Sequence, residues 1–193
     1  MALYKKVLRD IFESISGFKI QRLSANSFAI YRDSAKVEAW FSNSAQIEWV
    51  IEQFDIDLVI DAGANVGQFA QNLRSFYTGE IISFEPVTDI FMKLKNIAHC
   101  DLKWHIYNVA LGSENKKVMV NILEESSLSS ILKPNNYSVK RFGNDARIKQ
   151  REEVKLVRLD SLLKDLVENV EHRRIFLKMD TQGYDLEVLK GSI

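Results

Sequence analysis

The stretch Asp57-Leu58-Val59-Ile60-Asp61-Ala62-Gly63-Ala64-Asn65-Val66-Gly67 decides the fold of this chain. A short apolar, β-rich run that stops abruptly at Asp-Ala-Gly suits a parallel strand buried on both faces. Gly63 and Gly67 let the backbone turn sharply and let a ligand approach without meeting a Cβ. The residues that follow read as a helix, whose first N–H groups favour a carboxylate or phosphate. The spacing is Gly-x-x-x-Gly with Asp61 two positions ahead. A dinucleotide site carries Gly-x-Gly-x-x-Gly, and Asn65 breaks that pattern. A phosphate loop needs Gly-Lys-Ser/Thr, which is absent.

Outward from this loop, helix and strand patterns alternate. Residues 68–76 read as helix, 80–84 as strand, 89–99 as helix and 103–108 as strand. Residues 116–123 and 152–159 read as two further strands, followed by helix 160–170, strand 174–180 and a helix from 184 to 190. Strands alternating with helices give βαβ units, hence a doubly wound, mostly parallel α/β sheet of Rossmann-like type. Right-handed crossovers place the strand ends on one edge, and ligands bind beyond that edge. The polar segment 124–151, with Pro134 and Gly143, reads as a long inserted β-hairpin or loop; loops of that size are usually functional. Ahead of the sheet, residues 18–31 read as one or two strands. Asn43 or Ser44 caps a helix running through Ile47, Val50, Ile51 and Phe54. Residues 1–44 are thus expected to form an N-terminal α/β extension, and residues 45–193 the main domain.

Three further landmarks fall on the same edge. Ser83-Phe84-Glu85-Pro86 ends the second strand of the alternating series, where an acid can accept hydrogen bonds from both ribose hydroxyls of a nucleoside. Asn108-Val109-Ala110-Leu111-Gly112 ends the third; small apolar residues there suit the flanks of an adenine ring. Leu177-Lys178-Met179-Asp180-Thr181-Gln182-Gly183-Tyr184 ends the next, and aims Asp180 into the same cleft. Any one of these is weak, since a tight turn or a solvated acid explains it. Four on four successive strands point to a nucleoside-bearing cofactor. Lys178 reads as a strand residue whose charge is led to solvent.

The ordered set VIDAGANVGQFA, SFEP, NVALG, VKLVRLDSLL and LKMDTQGYDLEVLKG resembles the FkbM family of class I methyltransferases over about residues 45–193. The Ser-rich turn 126–130 is similar to that family as well. The resemblance implies S-adenosylmethionine as cofactor, with Asp61, Gly63, Ala64, Asn65 and Gly67 at its methionine end. It further implies Glu85 on the ribose, and Asn108, Val109 and Ala110 near the adenine. It implies methyl transfer to a hydroxyl of a sugar, of a glycolipid or polysaccharide, or of a secondary metabolite. Asp180 is the candidate general base; its alternative role is to cap the next helix or orient the cofactor amine. The chain departs from the family at Gln182 and Asp185, where many members carry Glu. Class I sheets have seven strands, so the last strands are expected to be missing here. A non-catalytic cofactor-binding module, or an inactive fragment of the same fold, is the alternative reading.

Bulk properties narrow the partners. Lys+Arg and Asp+Glu both total 26, a net charge of zero, which disfavours a general nucleic-acid binder. The local pairs Lys140-Arg141 and Arg173-Arg174 read as solvated surface. The expected partner is a small-molecule or carbohydrate acceptor. Cys100 is the single cysteine, so there is no internal disulfide and no Cys-based zinc site; a reducing, cytoplasmic setting fits. Cys100 reads as a small, buried residue. No metal site has ligand spacing, and His99, His105 and His172 are scattered. Trp40, Trp49 and Trp104 read as core. Charges at Lys5, Lys6, Arg9 and Asp10 rule out a signal peptide. Leu3, Val7, Leu8, Ile11, Phe12 and Ile15 form a helical stripe that is compatible with a membrane or partner, and that packs more simply on its own domain.

Overall fold

The computed structural model of the chain describes residues 18–22, 28–32 and 43–193, with side chains from residue 46 onward. The stripe over residues 3–15 and Trp40 lie outside the described residues. The chain forms two compact units, residues 1–53 and 54–193. In the first, β1 (Phe18–Arg22) and β2 (Phe28–Arg32) pair antiparallel, with Ile20 opposite Ile30, and α1 spans Asn43–Gln53. Trp49 is 55% exposed rather than in a core. It lies off the Ile47–Ile51 stripe, two residues from each, where a helix points the other way.

The second unit is built on four parallel strands. They are β3 (Leu58–Ala62), β4 (Glu80–Phe84), β5 (Trp104–Tyr107) and β9 (Ile175–Met179), in the order β5-β4-β3-β9. Helices α2 (Gln68–Leu73), α3 (Thr88–Ala98), α5 (Leu159–Leu166) and α6 (Asp185–Lys190) connect or follow them. This is the Rossmann-like, mostly parallel sheet expected. β3 is fully buried from end to end, as befits a central strand with both neighbours parallel. One sheet face, carrying Leu58, Ile60, Ala62, Ile82 and Phe84, packs on Leu159, Leu163 and Val188 of α5 and α6. Helix α2 is shorter than its sequence pattern. Ser75 and Phe76 donate to Asn72 and Leu73, so the helix tightens into i→i−3 bonds after Leu73. There Arg74 turns inward and donates to Asp101, and to the carbonyls of Tyr77, Gly79 and Lys103.

The inserted hairpin is present and carries one strand more than expected. β7 (Lys116–Leu123) and β8 (Ile148–Val157) pair antiparallel. The two-residue β6 (Ala110–Leu111) joins β8 in parallel, giving a separate three-stranded sheet. The segment between β7 and β8 is ordered into a 3₁₀ turn over Ser126–Leu128, helix α4 (Asn136–Phe142) and a second 3₁₀ turn over Gly143–Ala146. Asn135 caps α4, its Oδ1 accepting from the Ser138 N–H at 2.9 Å. A second core joins this sheet to α3 through Val87, Ile90, Ala110, Val120, Val154 and Leu156. Trp104 is buried as expected. Cys100 is exposed rather than buried, because it follows the end of α3, where the chain has left the core.

Candidate active site

The carboxyl ends of β3, β4 and β9 open into one cavity of about 530 Å³. That falls within the size range of small-molecule sites. The wall is closed by the Ser-rich turn before α4. Gly63, Ala64, Asn65, Glu85, Val109, Ala110 and Asp180 all line it. The sequence-predicted residues are therefore brought together from four strand ends. Three others do not line the cavity. Asp61 is fully buried. Gly67 begins α2 and lies so close to Leu94 and Trp104 that a Cβ there would come within 2.8 Å of each. Asn108 is clamped by its own amide, whose Nδ2 donates to the carbonyls of Glu85 and Pro86 at 2.9 and 3.0 Å.

The loop after β3 is shaped for close approach. Gly63 has φ +76°, and a Cβ there would stand 2.2 Å from the Asp180 carbonyl oxygen. The first turn of the loop is tied to β4, because the N–H groups of Gly63 and Ala64 both donate to Phe84 O. Asn65 takes the left-handed conformation at φ +50°. This is a position Asn tolerates because its side chain bonds locally, here Oδ1 accepting from the Val66 N–H at 2.7 Å.

Glu85 is the electrostatic centre of the cavity. It is 5% exposed, yet each carboxylate oxygen accepts one backbone N–H: Asn65 to Oε2 and Val87 to Oε1, both at 2.9 Å. Burial pushes its pKa up to about 7, and the two N–H bonds oppose the rise without cancelling it. Each oxygen retains a lone pair for another donor.

Beneath it runs a row of polar side chains across three strands. Asp61 is in register with Ser83 on β4 and Lys178 on β9, so all three share one sheet face. Lys178 Nζ lies 2.9 Å from Asp61 Oδ1, as an ion pair outside good hydrogen-bond geometry. It also donates to Gly63 O at 3.1 Å, and sits 5.6 Å over the ring of Phe69. On the far side, Ser83 Oγ donates to Asp61 Oδ2 at 3.5 Å and accepts from Trp104 Nε1 at 2.9 Å. Burial raises the Asp61 pKa, against the pull of Lys178.

The lysine therefore does not lead its charge to solvent. It lines the cavity and pins the glycine loop to β9. The signal was in the sequence: Lys178 stands two residues before Asp180 on one strand, and so shares its face.

Asp180 stands at the mouth, with 57% of its side chain exposed. Its Oδ1 accepts from Gln182 Nε2 at 3.0 Å, and its Oδ2 lies 3.9 Å from Lys178 Nζ. Gln182 reaches it because residues 182 and 183 both turn left-handed, at φ +53° and +94°. A glutamate could not make this donation at neutral pH. No side chain caps α6 at Tyr184; Asp185 Oδ1 instead accepts from Thr181 N and Oγ1 at 2.9 and 2.7 Å and closes the 181–185 turn.

Missed in the sequence was buried Asn121 on β7. Its Nδ2 donates to the carbonyls of Ser130, Ile131 and Leu132, and Ser130 Oγ donates to Gln182 O at 3.0 Å. Together they hold the Ser-rich wall against the 181–183 turn. Among the described residues, no group of His, Cys, Asp and Glu side chains is arranged to hold a metal.

The family model described as "Methyltransferase FkbM domain" matches residues 61–193, beginning at the buried aspartate and ending with the chain. The chain belongs to the FkbM methyltransferase family. No curated protein matches the chain. Among solved structures, the crystal structure of P. horikoshii TYW2 in complex with MeSAdo is similar at 16% identity and a TM-score of 0.28. The match covers 56% of this FkbM chain and spans about half (49%) of the TYW2 chain. No helix among the described residues is long and apolar enough to cross a membrane.

Proposed function

We propose that this FkbM domain binds S-adenosylmethionine in the cavity and methylates a hydroxyl of a small-molecule or carbohydrate acceptor. The observation that carries the reading is Glu85: a buried carboxylate with a spare lone pair on each oxygen, at a strand end that lines a ligand-sized cavity. A vicinal diol offers the two donors such a group lacks. The wall residues fit the rest. Gly63, Ala64 and Asn65 present backbone without bulk toward a methionine end, and Val109 and Ala110 present apolar surface toward a purine. Asp61 and Gly67 serve this site from behind, the first through Lys178 and the second by letting α2 begin where it does. Asn108 serves it by fixing the strap 85–86.

When bound, the sulfonium supplies an activated methyl group for in-line transfer to oxygen. The chain's own work is to hold the acceptor, exclude water and receive a proton. Asp180 is the group placed to take that proton at the cavity mouth. Gln182 orients its carboxylate, leaving Oδ2 toward Lys178.

Calorimetric titration with S-adenosylhomocysteine tests the cofactor half, with Glu85→Ala alongside. Loss of two charge-assisted hydrogen bonds weakens binding at least about tenfold. A folded wild-type chain that binds nothing overturns the reading. Asp180→Asn tests the second half: it leaves homocysteine-analogue binding within about twofold while lowering the transfer rate about a hundredfold.

A further inference from the structure

The arm of residues 131–151, which runs from the cavity wall through α4 into the first half of β8, is rich in cations that no carboxylate among the described residues pairs. Residues 131–151 hold Lys133, Lys140, Arg141, Arg147, Lys149 and Arg151 against Asp145 alone, a net +5 in a chain whose total is zero. The rest of the chain is therefore at −5. The other basic pair is spent internally: Arg173 pairs with Asp57 and Glu80 at 2.7 and 2.6 Å, and Arg174 donates to Asp55 O. Among the described residues, none of the six cations of the insertion pairs with a carboxylate.

Apolar side chains are interleaved with them. Helix α4 buries none of its seven residues. Tyr137 is 65% exposed, Val139 52% and Phe142 39%, and Leu132 just before the helix is 47% exposed. Arg141 is braced along this helix by Tyr137 Oη at 3.0 Å, and its guanidinium lies over the Phe142 ring at 5.5 Å. A helix that buries none of its own residues, and whose exposed apolar side chains are interleaved with cations unpaired among the described residues, has the composition of a segment that lies in a bilayer interface. A soluble polyanion is matched by the cations but gives the apolar side chains nothing to cover them.

We propose that α4 and its flanks dock the protein on an anionic lipid surface, with the cations and Tyr137, which is bonded to Arg141, toward the headgroups and Leu132, Val139 and Phe142 toward the acyl boundary. The same segment begins at the Ser-rich cavity wall. Docking therefore brings the cavity mouth to the membrane face. This inference does not depend on the proposed cofactor or reaction.

The test is co-sedimentation of the whole chain with vesicles of neutral phosphatidylcholine, and of phosphatidylcholine with roughly a quarter phosphatidylserine. The chain pellets with the second and not the first, and is released by raised salt. Lys140→Glu/Arg141→Glu and Tyr137→Ser/Phe142→Ser each lower the bound fraction at least about tenfold. Both keep the wild-type melting temperature, since α4 has no buried residue to lose; Lys93→Glu on α3 is the control and binds as wild type. Failure of the wild-type chain to pellet overturns the proposal. So does undiminished pelleting of either double variant, which assigns binding to another segment or, where only the apolar variant is undiminished, to a polyanion-type site. Should either variant melt early, Lys133→Gln/Lys149→Gln replaces it, and wild-type binding by that variant also overturns the proposal.

Discussion

Gly63→Ala puts the architecture of the cavity to a quantitative test. The added Cβ would stand 2.2 Å from Asp180 O and 3.0 Å from Asp180 C, where carbon needs about 3.5 Å to a neighbouring heavy atom. The backbones of β3 and β9 must therefore part by about 1 Å at their carboxyl ends. The bond that joins them there, Asp180 N–H to Ala62 O at 3.0 Å, is lost or stretched. A lost backbone bond costs about 0.5–1.5 kcal/mol, a left-handed alanine about 1–2 kcal/mol, and overpacking about 1–3 kcal/mol. Together they come to about 2.5–6.5 kcal/mol, a large share of the stability of a domain of this size. Gly143→Ala separates strain from clash: its φ of +56° with ψ −122° lies outside the left-handed helical region, in backbone space where only glycine is at ease, but nothing lies within 4 Å of a Cβ there, so it should cost about 1–3 kcal/mol. Urea unfolding followed by tryptophan fluorescence reads both, with Trp104 as the buried reporter. Equal losses in the two variants would refute the close approach of residue 63 to β9, and with it the reason the loop needs glycine.

Four other outcomes are expected. The Glu85 pKa is raised from 4.5 to about 7, so its contribution to stability is complete below pH 4.5 and is lost as pH rises through about 7. That amounts to about 3 kcal/mol at 1.36 kcal/mol per unit, and the stability gap between wild type and Glu85→Gln should shrink by that order across the window, as read by urea titrations at each pH. S-adenosylhomocysteine affinity should rise over the same window, because only the ionised form offers all its lone pairs to a diol. Lys178→Met leaves Asp61 buried without its cation and should cost about 3–5 kcal/mol; Lys178→Met with Asp61→Asn should recover most of it, and a double variant as unstable as the single would show that the pair is not the cause. Asn121→Ala strands the carbonyls of Ile131 and Leu132, while Ser130 O keeps the backbone N–H of residue 121, and amide exchange in residues 128–132 should accelerate by about tenfold or more while β3 stays protected.

The sheet was legible because its signals are local. Residues 57–62 and 80–84 are apolar runs ended by polar strand-end residues, and both proved to be central strands. Asp61, Gly63, Asn65, Glu85 and Asp180 could be placed on one edge because parallel connectivity leaves no other edge for them. What escaped reading was lateral. That Asp61, Ser83 and Lys178 form a row depends on strand register, and a single sequence does not carry register between residues 22 and 117 positions apart. The 124–151 segment was hard for the opposite reason. Its helix has no buried stripe, and an apolar stripe is what reveals a helix in sequence. Asn121 looked like an ordinary strand residue because the carbonyls it holds belong to a turn nine to eleven residues on.

The burial gradient along β8 decides where the hairpin can be lengthened or grafted. Its first four residues are exposed, whereas Val154, Leu156 and Val157 near its other end are buried. Lys149 is a bulge, skipped between Gln150 opposite Ile122 and Ile148 opposite Leu123, but removing one residue on the core side of it, between 150 and 153, slides the pairing by one place and turns Val154 and Leu156 out to water, undoing the second core. Removing two preserves which way every buried side chain points and only shortens the tip. The hairpin is thus quantised in steps of two. A chimera that exchanges the distal arm for one of different length keeps the cavity floor intact when the two arms of the hairpin change by even numbers.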